Sequence, residues 1–306
     1  MEGRKGSCCR IIWPLSAHPS STTTPSNCLP TRSSMPSSTE KHRFYAPPDQ
    51  IAGDVAVFTE EESRHVIKVL RLGVGDVVTV VNGDGLTCRA ELEMISKRSV
   101  LARILERKEE VGEPSFDLHI GLSVLNQPTR WETFLEKAVE NGCTRITPLV
   151  SQRTQKVKFN RRRLESILVS ALKQSERSRL PVLDDPTSFE SLMKEFSREA
   201  ESDQFVKLIC HESRPDGVRL GHLLSQVPAQ AQLDGDSKSK TALEHPKQKW
   251  SVLVGPEGGF SEEEVERAVS SGWKSVWLGE RRLRAETAAM TVISVISQSL
   301  DERQNG

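Results

Sequence analysis

Apolar runs that alternate with helix-like segments constrain the fold of this chain most strongly. Residues 118–125 and 146–150 are near-continuous apolar runs, and the segment between them has apolar residues at helical spacing. The same rhythm continues through 205–210 and 250–254. Strands that are buried on both faces have continuous apolar runs, and helices between such strands cover the faces. The pattern therefore predicts a mostly parallel sheet in an α/β domain over residues 115–303.

A different pattern precedes this domain. Residues 76–93 alternate apolar and polar side chains around an Asn-Gly-Asp-Gly turn, which predicts a β-hairpin with one buried face. A further strand is expected at 99–106. Together these segments predict a small β-barrel over residues 42–107.

Two shorter segments complete this half of the chain. Residues 60–71 are expected to form a helix that turns Val66 and Val69, among others, toward the barrel core. Residues 106–114, ERKEEVGEP, are charged and contain Gly and Pro. We interpret this segment as a linker between the two domains.

The first residues of the chain differ in composition from the rest. Residues 1–39 contain nine Ser, five Thr and five Pro, and their single acidic residue, Glu2, stands against four basic residues. This composition is typical of an organelle transit peptide, and a plain disordered tail is the alternative. We expect a transit peptide at 1–40 and a chloroplast location, with the mitochondrion as the alternative. The polar run 226–248 has no periodicity and is predicted to be a disordered surface insertion.

The charge balance limits how this chain can contact nucleic acid. It has 42 basic and 42 acidic residues, which excludes a polybasic protein that coats nucleic acid by bulk charge. Residues 153–179, however, contain nine basic residues against two acidic ones, and the helix at 60–71 carries a smaller basic cluster. These patches predict RNA contacts, and a solvated helix face is the alternative for each. The candidate RNA-binding residues are Arg64, Lys68, Arg71, Arg153, Arg161, Arg162, Arg163, Arg177 and Arg179.

Metal and membrane functions have little support in the sequence. The six cysteines contain no C-x-x-C pair, so we expect neither a zinc site nor a disulfide framework. No apolar stretch approaches the roughly 18 residues that a membrane span needs, so no membrane partner is expected.

Three loops are expected to meet at one edge of the predicted parallel sheet. They lie at 211–215, 255–259 and 279–284, and each follows a predicted strand. Ligands of open α/β sheets bind beyond the carboxyl ends of the strands, and glycines let the backbone approach a ligand closely. Ser261 and Glu264 form a capping-box pattern that opens the next helix. Because the loops match neither G-x-G-x-x-G nor the P-loop pattern, a dinucleotide or P-loop site has poor support.

The same loops carry a family resemblance. The segments LVGPEGGFSEEEVERA, 253–268, and LGERRLRAETAAM, 278–290, resemble the paired signature of the ribosomal RNA small subunit methyltransferase E family. These are SPOUT-superfamily enzymes that methylate uridine N3. The similarity extends to 64–76, 146–155 and 174–181. It therefore covers anchors across most of the chain beyond residue 42.

The resemblance implies a fold, a cofactor and partners. The fold would be a PUA-like β-barrel followed by a SPOUT α/β domain with a C-terminal trefoil knot, and the protein would be a homodimer. The cofactor would be S-adenosylmethionine, and the substrate would be small-subunit ribosomal RNA or the assembled small subunit. By position, the implied cofactor-binding residues are His211, Gly255, Pro256, Glu257, Gly258, Gly259, Leu278, Gly279, Leu283, Thr287 and Ala288.

The expected chemistry suggests two catalytic candidates. Uridine N3 carries a proton at neutral pH, so methyl transfer needs a base or a cation that stabilises the uridinate. Glu286 is the candidate base, and Arg284 is the candidate for holding a carbonyl oxygen or a phosphate. A carboxylate that favours the first turn of a helix is the alternative for Glu286, and an ion pair with Glu286 is the alternative for Arg284.

The substrate side departs from the family pattern. Residues 126–128 are Asn-Gln-Pro where the family usually has Lys-Gly-Asp, and Glu280 replaces a common Pro. Two other functions therefore stay open: methylation of another RNA nucleotide, and a non-catalytic role in ribosome assembly. An α/β enzyme for a phosphorylated small molecule would leave the basic patch and the barrel unexplained.

Overall fold

The structure is a computed structural model that describes residues 42–155, 159–198, 205–211, 217–226 and 247–305. The predicted transit peptide and all but the ends of the predicted 226–248 insertion lie outside these residues. In the part of the chain that is described, no helix is both long enough and apolar enough to cross a membrane.

The helices and strands follow one another in two blocks, a β-rich block before residue 110 and an alternating block after it. The strands are β1 Arg43–Tyr45, β2 Ile51–Ala52, β3 Val55–Val57, β4 Val77–Val81, β5 Leu86–Ile95, β6 Val100–Glu109, β7 Phe116–Ser123, β8 Arg145–Val150, β9 Val182–Leu183, β10 Thr187–Ser188, β11 Phe205–Cys210, β12 Val218–Arg219, β13 Gln248–Val254 and β14 Lys274–Trp277. The helices are α1 Glu60–Arg64, α2 Pro128–Glu140, α3 Arg161–Gln174, α4 Phe189–Phe196, α5 Leu220–Gln226, α6 Glu262–Ser270 and α7 Ala285–Asn305.

The first block, which we call the barrel block, is a six-stranded sheet with the order β1-β4-β5-β6-β3-β2. The predicted hairpin is confirmed, because β4 and β5 pair antiparallel and Val81 lies opposite Thr87. The Asn82 side-chain carbonyl accepts hydrogen bonds from the backbone N–H groups of Asp84 and Leu86, at 2.8 and 3.0 Å. The hairpin turn is thus stabilised by the side chain that the sequence places at its first position. The inward side chains, Phe44 among them, form a separate apolar core.

The helix predicted at 60–71 has an irregular second half. Regular α-helix ends at Arg64, and His65–Leu70 continues as a π-helical turn. Val66 is buried as expected, but Val69 is 66% exposed, so the prediction for Val69 is wrong. The physical reason is the wider π turn, whose i→i+5 hydrogen bonds change the angular spacing that an α-helix would give these side chains.

The second block is built on one parallel sheet with the order β10-β8-β7-β13-β11-β14-β12, and β9 pairs with β8. Every pairing in this sheet is parallel, which confirms the predicted α/β class. The helices α2, α3 and α7 contribute to the main core, including Phe134, Leu168 and Ile293. Strand β11 lies between β13 and β14, so the carboxyl ends of these three parallel strands lie side by side.

The segment predicted as a linker is instead part of a packed junction between the blocks. Strand β6 extends to Glu109, so the first residues of the segment are paired with β5. The Glu113 carboxylate lies 2.7 Å from the Arg177 guanidinium and accepts the backbone N–H groups of Ser178 and Arg179 at 2.7 and 2.8 Å. Glu113 therefore connects the end of the barrel block to the loop after α3. The composition of the segment could not reveal this connection, because the partners of Glu113 lie more than 60 positions away in the sequence.

One buried histidine joins three strands of the parallel sheet. The His119 ring contacts the Ser251 hydroxyl at 2.7 Å and the Thr147 hydroxyl at 2.8 Å, and these residues lie on β13 and β8. Burial, with a smaller contribution from the Arg145 charge, lowers the pKa of His119 to about 3. The ring is therefore neutral at physiological pH and acts as a polar spacer in the sheet.

Candidate functional site

A cavity of about 490 Å³ lies where β11, β13 and β14 end. It is lined by the ends of the three strands, by His211 after β11 and by the loops that follow β13 and β14, the position at which α/β sheets bind ligands. Residues 212–215 of the first predicted loop lie outside the described residues. This volume is within the range of sites for drug-sized ligands. Of the predicted cofactor-binding residues, all except Thr287 line it: His211, Gly255, Pro256, Glu257, Gly258, Gly259, Leu278, Gly279, Leu283 and Ala288.

Two glycines show why the sequence of these loops matters. A Cβ atom at Gly255 would lie 2.8 Å from the backbone nitrogen of Phe260, so the turn can close only without a side chain there. Gly279 has a φ of +124°, a region that L side chains rarely adopt, and a Cβ atom there would meet no protein atom within 4 Å. Gly279 thus leaves open space at the wall of the cavity.

The loop after β13 is fixed by the helix that follows it. The predicted capping box is present, since the Ser261 hydroxyl accepts the Glu264 N–H and the Glu264 carboxylate accepts the Ser261 N–H at 2.9 Å. The same carboxylate accepts the Gln152 N–H at 2.8 Å. One glutamate therefore connects the start of α6 to the loop that follows β8.

Arginines dominate the charge of the cavity. Five arginines line it, compared with two glutamates, Glu257 and Glu262. The sequence predicted a role for Arg153 and Arg284 and for no other arginine of the cavity. The Arg281-Arg282 pair within segment 278–290 was the signal that could have identified two of the others. The arginines that line the cavity are Arg130, Arg153, Arg281, Arg282 and Arg284.

The structure separates the two candidate catalytic residues. Arg284 is exposed and lines the cavity. Glu286 is 7% exposed and is not among the lining residues. Its carboxylate lies 3.6 Å from the Arg130 guanidinium, and its second oxygen is buried without a hydrogen-bond partner among the described residues. Among the described residues, Arg130 links the Glu286 carboxylate to the cavity lining.

The predicted RNA-binding arginines of α3 are paired with carboxylates. Arg161 contacts Glu165 at 2.8 Å and Asp185 at 2.6 Å. Arg163 forms two hydrogen bonds with the Glu132 carboxylate, at 2.9 and 3.0 Å. Side-chain hydrogen bonds to these carboxylates raise the pKa values of both arginines. Their charge is therefore largely balanced within the protein.

The arginines after α3 belong to the junction between the blocks. Arg177 is 3% exposed and donates to the carbonyl groups of Val139 and Cys143 at 3.0 and 2.9 Å, so its prediction as an RNA contact is wrong. Arg179 contacts Glu110 and Asp84, which belong to the barrel block. A local count of basic residues could not detect these partners, because they are distant in the sequence.

The remaining candidates are exposed. Arg162 lies on the surface of α3 and has no ion pair within the described ranges. Arg64 pairs with Glu60, whereas Lys68 and Arg71 are exposed next to it. The described residues contain no group of three or more His, Cys, Asp or Glu side chains that could hold a metal ion.

Comparisons with known proteins agree with this geometry. A family model for an RNA methyltransferase domain matches residues 112–297, and a model for an RNA methyltransferase PUA domain matches 58–105. The ribosomal RNA small subunit methyltransferase E of Synechocystis is 28% identical over 263 residues, which cover 85% of this chain and 78% of that protein.

Two solved structures are similar along most of the chain. A methyltransferase of Legionella pneumophila, solved with bound S-adenosylmethionine, is 30% identical with a TM-score of 0.64 and covers 85% of this chain and 98% of its own. The ribosomal RNA small subunit methyltransferase E of Neisseria gonorrhoeae, bound to S-adenosylmethionine, is 27% identical with a TM-score of 0.66. This match covers 84% of this chain and 97% of the Neisseria chain. With a PUA-like domain before a SPOUT-like parallel sheet, the chain belongs to the ribosomal RNA small subunit methyltransferase E family.

Proposed function

We propose that this protein is an S-adenosylmethionine-dependent methyltransferase that methylates uridine N3 in small-subunit ribosomal RNA. The observation that carries the proposal is the convergence of three strand ends, with the loops after β13 and β14, on one arginine-lined cavity. Relatives with the same domain order carry the name ribosomal RNA small subunit methyltransferase E, and two similar structures contain S-adenosylmethionine. The family resemblance supports the choice of uridine N3.

The residues of the cavity fit this cofactor. The open space at Gly279 leaves room for a ligand against the backbone of the loop after β14. Strand-end residues Val254 and Val276 with Leu278 provide apolar walls, and burial raises the pKa of the Cys210 thiol, which keeps that wall uncharged. A mixture of apolar walls and charged side chains suits a ligand with a flat base and polar ends.

The arginines supply the charge stabilisation that the reaction needs. When bound, S-adenosylmethionine provides a methyl group on a sulfonium. As N3 of the uridine gives its proton to solvent water at the open side of the cavity, negative charge develops on the base, and preorganised cations stabilise such charge. Arg284 lies at the cavity wall, where its guanidinium can donate to a uracil carbonyl oxygen. Positioning of the two reactants by the surrounding loops contributes the rest.

Glu286 acts as a positioning residue in this proposal. Its carboxylate lies 3.6 Å from the Arg130 guanidinium and outside the cavity lining. A buried carboxylate in this place orients Arg130 toward the cavity and partly balances its charge. The proposed role replaces that of a general base, because a base must come within hydrogen-bond reach of the proton that it removes.

The trefoil knot and the homodimer remain proposals that rest on the family resemblance. Light scattering after size exclusion tests the dimer, because a monomeric mass would contradict it.

The chloroplast location, with the mitochondrion as the alternative, is likewise a proposal. It rests on the composition of residues 1–39. Deletion of these residues should abolish import into isolated chloroplasts and leave methyl transfer intact. Import that is unchanged by the deletion would contradict a targeting role.

The experiment that tests the function is calorimetric titration with S-adenosylmethionine, followed by transfer of labelled methyl to small ribosomal subunits that lack uridine-N3 methylation. Gly279→Val should abolish cofactor binding, because the new side chain fills the cavity wall. Gly75→Val is the matched control, since Gly75 also has a positive φ and open space but lies in the barrel block. Cofactor binding by Gly279→Val would remove the proposed site, and methyl transfer to a different nucleotide would correct the substrate.

A further inference from the structure

Three arginines of one short loop stand at the opening of the cavity. Arg281, Arg282 and Arg284 lie between β14 and α7, all three are exposed, and all three line the cavity. We call this segment, residues 279–284, the arginine loop. The nearby Arg130 and Arg153 come from α2 and from the loop after β8. Positive charge from three parts of the chain is therefore concentrated at one opening.

The arginines from outside this loop are engaged with the protein. Arg153 donates to the carbonyl oxygens of Gly258 and Phe260, at 2.8 and 3.2 Å. Arg130 lies 3.6 Å from the Glu286 carboxylate. These contacts fix the loop after β13 and the start of α7, so Arg130 and Arg153 shape the cavity wall.

Arg281 and Arg284 differ from them. Neither has a carboxylate partner within the ranges that the structure describes. The acidic neighbour in the loop, Glu280, lies 3.9 Å from Arg219, whose guanidinium also stacks on the Trp277 ring at 4.8 Å. The one carboxylate of the arginine loop is thus directed toward another arginine, and the donors of Arg281 and Arg284 are left for a ligand.

The chemistry of these donors identifies the ligand class. A planar guanidinium forms paired, charge-assisted hydrogen bonds with phosphate oxygens. An enzyme that modifies a base of RNA takes that base out of its stack and into the site, so the sugar-phosphate backbone on either side lies at the opening. Cations without protein partners bind phosphates most strongly, because they release counterions without first breaking an ion pair.

We propose that Arg281 binds the phosphates that flank the target nucleotide, and that the arginine loop, rather than α3, is the main electrostatic contact with RNA. This inference rests on the proposed function, because it places the target base in the cavity. It assigns to RNA a residue, Arg281, that the basic patches of the sequence did not include. Arg281 holds the backbone, and Arg284 stands next to it at the cavity wall.

The test compares the full-length protein with Arg281→Ala, using purified small-subunit ribosomal RNA as the probe. Affinity is measured without cofactor over a series of salt concentrations. We expect Arg281→Ala to bind about fivefold to tenfold more weakly and its salt slope to fall by about one unit. Arg281→Lys should keep the slope, because it keeps the charge. Arg198→Ala is the matched control, since Arg198 is exposed, has no ion pair within the described residues and lies outside the cavity.

The outcomes separate this inference from the proposed function. Unchanged affinity and slope in Arg281→Ala, or an equal loss in Arg198→Ala, would overturn it. Titration with S-adenosylmethionine on the same variant should give an affinity within about twofold of wild type, since Arg281 is an exposed residue at the opening and the substitution leaves the apolar walls and the glycine loops of the cavity unchanged. A wild-type protein that binds RNA through Arg281 but transfers no methyl would refute the proposed function and leave the RNA contact standing.

Discussion

Two arginine-rich regions of this molecule differ in what their charges contact. In α3 and the junction after it, four of the five arginines pair with carboxylates, and Arg177 is almost completely buried. In the arginine loop, Arg281 and Arg284 are exposed at the cavity without such partners in the described part of the chain. Similar densities of basic residues therefore give very different electrostatic surfaces. The first region stabilises the fold, and the second presents charge to a ligand.

The largest effect is expected where a charge is buried in the junction. Glu113→Ala leaves the Arg177 guanidinium buried without its partner, and removal of one member of a buried pair typically costs about 3–5 kcal/mol. Urea unfolding should show a loss of this size. Glu109→Ala is the control, because Glu109 is exposed and has no ion pair in the described structure. A loss below about 1 kcal/mol would show that the junction contributes little.

A smaller effect is expected from the neutral polar contact in the sheet. The folded pKa of His119, about 3, lies below its unfolded value of roughly 6.5, so the unfolded state binds the extra proton and stability falls as the pH drops below about 6.5. Between pH 7.5 and pH 5 this amounts to about 2 kcal/mol. His119→Gln should remove most of this pH dependence in urea unfolding. An unchanged dependence would assign it to other groups.

Glu286→Gln tests the boundary between the fixed and the ligand-facing arginines. If Glu286 orients Arg130, the substitution should lower kcat by about tenfold, roughly 1.4 kcal/mol, without changing the shape of the pH profile. Loss of a general base would instead lower kcat by about 10²–10⁴ and remove the ionisation of that base from the profile. Single-turnover methyl transfer across pH distinguishes the two. Glu257→Gln serves as the comparison variant in the same kcat and pH-profile measurement, because Glu257 lines the cavity whereas Glu286 does not.

The smallest effect is expected in α3. Simultaneous replacement of Arg161, Arg162 and Arg163 by Ala should change RNA affinity by about twofold or less, because two of the three charges are already balanced by carboxylates. The salt dependence of binding measures this directly. A loss larger than that of Arg281→Ala would reverse the comparison and make α3 the main RNA contact.

Much of the fold could be predicted from the sequence because its signals are local. The hairpin around Asn82 and the capping box at Ser261 are both present as expected. Each depends on residues within a few positions of one another. The helix α4, which the sequence analysis did not identify, is short and packs its aromatic residues, including Phe196, into a smaller core.

The candidate site was only partly predictable for a related reason. The glycine-bearing loops follow predicted strands, and the order of β13, β11 and β14 in the sheet brings them together. The basic patch at 153–179 gave a misleading signal, since Arg163 pairs with Glu132 and Arg177 pairs with Glu113. Neither partner lies within the patch, so no local count of charges could include it.

Local signals along the chain were enough to predict the two domains, the parallel sheet and the glycine loops, because apolar periodicity and turn chemistry act over short stretches of chain. Which charged side chains are available to a ligand depends on the folded arrangement. Arg177 meets a glutamate 64 positions away, Arg163 meets one 31 positions away, and Arg281 meets none in the described chain. Ion pairing depends on the distance between groups in space, and folding sets that distance between segments that are far apart in sequence.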